Sequence, residues 1–91
     1  KILNVEEIKG ADRLYKLRVK IGEEERTLVA GIKKYYSPQD LIGKKIIVVY
    51  NLKPAKLKGV TSEGMLLAAK EGDTLSLLIP EIDVKEGAKI S

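Results

Sequence analysis

Five lysines lie in a window of the chain that contains no acidic side chain. This window, residues 41–62, is flanked by mixed stretches: residues 1–40 carry nine basic and seven acidic side chains, and residues 63–91 carry three and six. Its basic residues are Lys44, Lys45, Lys53, Lys56 and Lys58. Ammonium groups bind phosphate oxygens through charge, with little dependence on the attached base, so such a surface suits a phosphate-rich ligand. The alternative is that the lysines only solvate a loop and a strand edge.

The chain lacks two of the most common catalytic residue types, because it contains no histidine and no cysteine. It therefore lacks the most frequent general base, the usual zinc-binding nitrogen and any thiolate. The sequence also shows no nucleophile and base pair, no carboxylate pair at a defined spacing and no glycine-rich phosphate loop. We expect a non-catalytic domain with no metal and no cofactor.

The length of 91 residues indicates one domain, residues 1–91. No apolar run approaches the roughly 20 residues of a membrane span, and residues 1–10 carry acids where a signal peptide would need an apolar block. These features predict a cytoplasmic protein with no membrane partner. The chain opens on a strand-like sequence without an initiator methionine, which indicates a fragment of a longer protein.

The first part of the chain predicts a three-stranded meander. Residues 2–8 and 14–21 alternate between apolar and polar side chains, which is typical of strands. The turn signals at residues 9–13 and 22–25 separate these strands from each other and from a short strand at residues 26–30.

A short helix is expected after the meander. Ser37 can cap it, Pro38 suits its first position, Asp40 stands three residues after the cap, and Gly43 can end it.

Further strands are expected at residues 45–50, 65–69 and 75–79, where the chain is apolar. Three strands, a short helix and more strands is the order of an OB-fold, a five-stranded Greek-key barrel that binds oligonucleotides or oligosaccharides. We therefore predict an all-β chain with this barrel, a short helix between strands 3 and 4 and a C-terminal extension. An SH3-like barrel fits the strand count almost as well.

The segment NLKPAKLKGVTSEGM, residues 51–65, carries a specific resemblance. It is similar to the signature of the tRNA-binding domain shared by methionyl-tRNA synthetase extensions, structure-specific tRNA-binding proteins and the EMAP II family. Residues 11–15, 30–36 and 43–49 extend the similarity over nearly the whole chain and favour the synthetase branch. Two departures are Ile8-Lys9, where the family commonly has His-Pro, and Leu57-Lys58, where it often has Met-Arg. The second exchanges a planar guanidinium for a point charge.

The resemblance implies tRNA contacts from one cluster of residues. Pro54 has a fixed backbone angle, so neighbouring lysines would lose less freedom on binding. An amide or hydroxyl can bond a phosphate or a 2'-hydroxyl, and a thioether can pack on a base or ribose. The resemblance assigns these roles to Asn51, Lys53, Lys56, Lys58, Ser62 and Met65, with Lys33 and Lys34 as second-rank phosphate contacts.

Each of these residues has a structural alternative. Asn51 and Ser62 could only cap turns, and Met65 could fill the core. Tyr35 and Tyr36 could stack on bases or serve packing, since the chain has no Phe or Trp.

The function implied by the resemblance is a non-catalytic, largely sequence-independent tRNA-binding module that raises the tRNA affinity of methionyl-tRNA synthetase. The parent protein would be a methionine-tRNA ligase, and the partners would be tRNA, its catalytic domain or subunit, and a second copy in a homodimer to which residues 75–90 contribute. One alternative is a free-standing structure-specific tRNA-binding protein or chaperone. Another is a protein-protein module of a synthetase complex that does not touch RNA.

Overall fold

The computed structural model describes residues 1–51 and 53–90. Within these residues the chain forms nine strands and one helix, in the order β1 (Ile2–Ile8), β2 (Ala11–Ile21), β3 (Glu24–Ala30), α1 (Pro38–Leu41), β4 (Val48–Val49), β5 (Ala55–Leu57), β6 (Val60–Ser62), β7 (Met65–Leu66), β8 (Ala68–Glu71) and β9 (Thr74–Leu77). All strand pairs are antiparallel, as β1-β2-β3, β4-β7, β5-β6 and β8-β9. The predicted all-β, OB-like class is confirmed. The described residues form nine strands instead of five: the first three are as long as predicted or longer, and the later ones are short.

The meander of β1, β2 and β3 supplies most of the core. On β2 the alternation predicted from sequence buries Tyr15, Leu17 and Val19 and turns the intervening residues outward. Side chains from the helix and from the last strand close the core, whose buried members are Ile2, Val5, Tyr15, Leu17, Val19, Leu28, Ala30, Ile32, Leu41 and Leu77. This burial of apolar surface is the main stabilising contribution in a chain of this size.

Strand β1 buries every third residue, whereas a regular strand buries every second one. Its buried residues are Ile2, Val5 and Ile8. The pairing with β2 shifts register between Ile2 and Asn4 and again between Glu7 and Ile8. The first shift leaves one extra residue on β1 and reverses the side-chain alternation, so Ile2 and Val5 both face the main core. The second shift leaves three extra residues on β2, and Ile8 packs in a separate, smaller apolar cluster.

The helix agrees with the sequence signals. The Asp40 carboxylate accepts hydrogen bonds from the Ser37 hydroxyl at 2.7 Å and the Ser37 backbone N–H at 3.3 Å. These bonds lower the pKa of Asp40 below its usual value. Gly43 adopts a φ of +91° just beyond the helix, a conformation that suits glycine. No helix in the described part of the chain is long and apolar enough to cross a membrane.

Two of the later strands differ from the prediction. The expected strand at residues 45–50 is a ladder only at Val48–Val49, and the expected strand at residues 65–69 is divided at Leu67. The backbone here bonds to several elements in turn: Ile2 donates to the carbonyl of Lys44 at 2.8 Å, and Leu67 donates to that of Ile47 at 3.1 Å. Apolar content predicted the location of these strands, but their bounds depend on which partner each residue meets.

The C-terminal segment, residues 78–90, lies against the first half of the chain. Lys45 forms an ion pair with Asp83 at 2.8 Å, and Lys20 forms one with Glu86 at 3.6 Å. A backbone hydrogen bond, followed by nearby lysines, lowers the pKa of Glu86. The segment also exposes large apolar side chains at Leu78, Ile79, Ile82, Val84 and Ile90. It is held by polar contacts and leaves apolar surface in solvent.

Candidate nucleic-acid interface

Residues 53–62 form a β-hairpin, here called the basic hairpin. Strands β5 and β6 pair from Ala55 with Ser62 to Leu57 with Val60, and the turn between them is Lys58-Gly59. Both turn residues have positive φ, +51° and +81°, which is the type I′ geometry of two-residue hairpins. The sequence alone indicates a loop here and not a hairpin, because Lys58 is not among the residues that normally mark such a turn.

The acid-free window divides into two groups of lysines. Lys53, Lys56 and Lys58 are exposed on the basic hairpin and form no ion pair within residues 1–51 and 53–90. Lys45 is paired with the C-terminal segment, and Lys44 lies over the ring of Tyr36 at 5.7 Å. Three positive charges on the basic hairpin therefore remain available to an anion.

The base of the basic hairpin is fixed to β3 by Glu63. Its backbone N–H donates to the carbonyl of Thr27 at 2.7 Å, and its carboxylate accepts from the Thr27 N–H at 3.1 Å. Neighbouring Gly64 is tightly packed, since a Cβ there would lie 3.0 Å from a Leu28 methyl and 3.1 Å from the Val49 carbonyl. This close approach holds the end of the basic hairpin against the core.

Arg26 joins the two ends of the segment that contains the basic hairpin. One guanidinium nitrogen donates to the carbonyl of Tyr50 at 3.0 Å and to that of Glu63 at 3.2 Å. The other terminal nitrogen donates to Glu24 at 3.3 Å. Hydrogen bonds from a charged donor are stronger than neutral ones, so Arg26 restrains both places where the segment leaves the fold.

Ser62 does not have the role proposed from sequence. It is 6% exposed, and its hydroxyl accepts from the buried Val29 N–H at 3.0 Å and donates to the Gly64 carbonyl at 2.9 Å. These bonds match the turn-capping alternative and leave the hydroxyl unavailable to RNA. We therefore exclude Ser62 from the candidate interface.

Replacing Ser62 with alanine is expected to destabilise the protein while leaving the three lysine charges of the basic hairpin in place. The change leaves the Val29 N–H buried without a partner, which costs about 1–3 kcal/mol. Chemical denaturation measures this loss, and Thr61→Ala, at the exposed neighbouring position, is the control. Equal stability of the two variants would contradict the structural role of Ser62.

The remaining predicted residues occupy different surroundings. Asn51 is exposed beside the basic hairpin, and Met65 is 51% exposed on β7 opposite Val49, so the core alternative for Met65 is wrong. Lys34 is exposed in the loop before α1, and Lys33 in the same loop is paired with Glu7, whose hydrogen bond raises the lysine pKa. The ion pair partly neutralises Lys33, so its charge is less available to an anion than the charges of the basic hairpin.

The residues predicted from the sequence do not include Arg26, Glu63 and Tyr50. Arg26 and Glu63 act through backbone groups far away in sequence, and no local pattern marks such contacts. Tyr50 did carry a signal, because an aromatic residue directly precedes the basic run, and interleaved aromatic and basic residues are typical of single-stranded nucleic-acid sites. The guanidinium carbon of Arg26 lies over the Tyr50 ring, 4.9 Å from the centroid.

Comparison with curated proteins finds synthetases. The chain is 54% identical over 90 residues to a methionine-tRNA ligase of Caldanaerobacter subterraneus subsp. tengcongensis, covering 99% of this chain and 14% of that protein. It is 53% identical over 90 residues to the methionine-tRNA ligase of Pyrococcus horikoshii, covering 99% of this chain and 12% of that protein. The chain thus spans a small part of the length of these relatives.

Solved structures with the same fold include proteins of similar size. A MetRS-related protein from Pyrococcus horikoshii has a TM-score of 0.90 and 43% identity, covering 99% of this chain and 84% of that one. The chaperone CsaA from Bacillus anthracis has a TM-score of 0.90 and 31% identity, covering 100% and 85%.

The family model described as "Putative tRNA binding domain" matches residues 1–89. This match covers the meander, the basic hairpin and most of the C-terminal segment, and it agrees with the resemblance carried by residues 51–65. Proteins of this family use the domain as a non-catalytic binding module. The chain belongs to the tRNA-binding domain family.

Proposed function

We propose that this domain binds tRNA through the basic hairpin and reads mainly its phosphate backbone. The observation that carries the proposal is the state of Lys53, Lys56 and Lys58, which are exposed and have no ion pair among the described residues, on a hairpin whose base is fixed to β3. Asn51 and Met65 extend the contact surface at the start of the basic hairpin and on β7, and Lys33 and Lys34 add peripheral charge.

The geometry favours binding by shape and charge. Lysines bind phosphate as point charges, which positions a nucleic acid without identifying its bases. Because hydrogen bonds restrain both ends of the segment, less conformational entropy is lost when a ligand is bound. A largely sequence-independent contact to a folded RNA follows from this combination.

Binding of tRNA across a salt series tests the proposal. We expect affinity to fall linearly with salt on a log-log plot, and folded tRNA to compete better than a linear single strand of equal length. A salt-insensitive affinity, or no binding at low salt, would remove the RNA proposal and favour a protein-protein assembly role.

Attachment to a methionyl-tRNA synthetase is the second part of the proposal, supported by the two curated relatives above. Linking a weak tRNA-binding domain to a catalytic domain makes the second contact intramolecular and increases overall affinity. In aminoacylation kinetics, the synthetase with the linked domain should have a lower KM for tRNA than the synthetase without it, and the two should have the same kcat. The alternative is a free-standing tRNA-binding protein, which the likeness to CsaA favours. In that case, linking the domain to the synthetase should not change the KM for tRNA.

Homodimerisation is the third part. The C-terminal segment exposes several large apolar side chains, of which Ile82 is 77% exposed, and a concentration of exposed apolar side chains often marks an interface. Analytical ultracentrifugation should show a dimer that Ile82→Lys dissociates and Lys89→Ala does not. A monomer at all accessible concentrations would refute this part and leave tRNA binding in place.

A further inference from the structure

Tyr50 is the exposed member of the four tyrosines. It is 45% exposed and lies between β4 and the basic hairpin, directly before Asn51. The others contribute to packing: Tyr15 is buried and donates to the Tyr36 carbonyl at 2.9 Å, the Tyr36 hydroxyl accepts from the backbone of Leu77 at 3.1 Å, and Tyr35 is half-buried. A side chain that buries this little of its ring contributes less to the core than the others do.

The position of Tyr50 is fixed by Arg26 in two ways. The guanidinium carbon lies 4.9 Å from the ring centroid, and a guanidinium nitrogen of the same residue donates to the Tyr50 carbonyl at 3.0 Å. A guanidinium stacked on an aromatic ring is attracted by the ring's negative face. The guanidinium therefore lies on one side of the ring, while Tyr50 as a whole is 45% exposed.

We propose that Tyr50 stacks on an unpaired nucleobase of RNA held by the basic hairpin, and that Arg26 is its positioning residue. The inference rests on the proposed tRNA binding and adds a contact that phosphate attraction does not supply. Every base has a π-face, so stacking accepts any unpaired base and agrees with sequence-independent binding. Met65 pairs with Val49, the residue before Tyr50, and its exposed thioether offers a second apolar side chain at this end of β4.

The ligand class follows from this combination. A base inside a continuous duplex has both faces covered by its neighbours and cannot stack on a side chain, whereas unpaired bases in loops can. The expected ligand is a folded RNA that places an unpaired nucleotide within reach of closely spaced phosphates. A fully paired duplex would meet the lysines alone.

Substitution of Tyr50 tests the stacking contact. Base stacking measured by alanine substitution corresponds to about a 5- to 150-fold change in affinity, so Tyr50→Ala should weaken tRNA binding by a factor in this range. The salt slope should not change, because no phosphate contact is lost. Tyr50→Phe keeps the ring and should bind within about 2-fold of the unaltered protein. A blunt-ended RNA duplex, measured at low salt, should bind the protein and Tyr50→Ala equally.

A fluorescence measurement gives an independent readout. The chain contains no tryptophan, so Tyr50→Trp introduces a single indole at this position. Stacking should quench its emission when tRNA binds, and the paired duplex should leave the emission unchanged. Arg26→Lys in the same background removes the planar stacking partner and should reduce both quenching and affinity while leaving the salt slope unchanged.

The outcomes separate this inference from the proposed function. Salt-dependent tRNA binding that Tyr50→Ala does not alter, together with unquenched indole emission, would overturn the stacking contact and leave the lysine contacts intact. The stacking contact would also be overturned if Tyr50→Ala weakened binding of the duplex as much as binding of tRNA. The tyrosine would then act through the shape of the basic hairpin. Absence of tRNA binding by the unaltered protein would refute both.

Discussion

Replacing Lys53, Lys56 and Lys58 together with alanine is expected to remove most of the affinity for tRNA. Each neutralised phosphate contact contributes about 0.7–0.9 to the log-log salt slope, so three lysines account for about 2–3. At physiological salt the affinity should fall by a factor on the order of 10 to 100. Filter binding or fluorescence anisotropy between 50 and about 300 mM salt measures both quantities.

The matched control removes three lysines elsewhere. Lys9, Lys85 and Lys89 are exposed and outside the basic hairpin, and replacing them lowers the net charge of +4 by the same three units. If binding followed net charge alone, both variants would lose equal affinity, and the basic hairpin would have no special role. A loss confined to the first variant, with unchanged thermal unfolding, would assign the phosphate contacts to the basic hairpin. Alanine at position 58 retains a non-glycine residue at positive φ, so the backbone strain there is similar in both proteins.

The second large effect is expected at Gly87, where the C-terminal segment meets the turn between β2 and β3. A Cβ at this position would lie 2.5 Å from both the Cα and the nitrogen of Gly22, and the φ of Gly87 is +92°. Both groups are backbone and cannot move aside cheaply. Gly87→Ala should therefore displace the C-terminal segment while the core stays folded.

Gly43→Ala is the control that separates the effect of the steric clash at Gly87 from the effect of placing alanine at a positive φ. Gly43 has a φ of +91°, but a Cβ there would meet nothing within 4 Å. Left-handed strain costs each variant about 1–2 kcal/mol. The clash at Gly87 adds about 1–3 kcal/mol, which corresponds to about a 5- to 150-fold larger population of the detached segment. Proteolysis by a lysine-specific protease at Lys85 and Lys89 reports this population, and equal cleavage of the two variants would contradict the close packing of Gly22 and Gly87.

The sequence predicted the parts of the fold that local rules govern. The alternation in β2, with its buried Tyr15, Leu17 and Val19, and the cap at Ser37 each depend on residues a few positions apart. The register shifts between β1 and β2 and the short ladder of β4 depend on which residues each strand meets in the folded chain. Spacing in the sequence carries no information about such partners, so these features had to come from the structure.

The candidate site shows the same division. The charge pattern located Lys53, Lys56 and Lys58, because a run of lysines without acids is visible in the sequence. The assignment of Ser62 failed, since burial and a bond to the Val29 N–H are properties of the folded chain. Arg26 was missed for the same reason, as its acceptors are carbonyl groups that any residue type could supply.

The double hydrogen bond of Arg26 makes the stretch between Tyr50 and Glu63 a ring closed by one side chain. The entropy of closing such a ring grows slowly with its length. Residues added in pairs beside the Lys58-Gly59 turn would keep the pairing of Ala55 with Ser62 and extend the basic hairpin by about 3.4 Å per pair. Natural variation or engineering can therefore adjust how far the domain reaches along an RNA independently of how stably its core is folded.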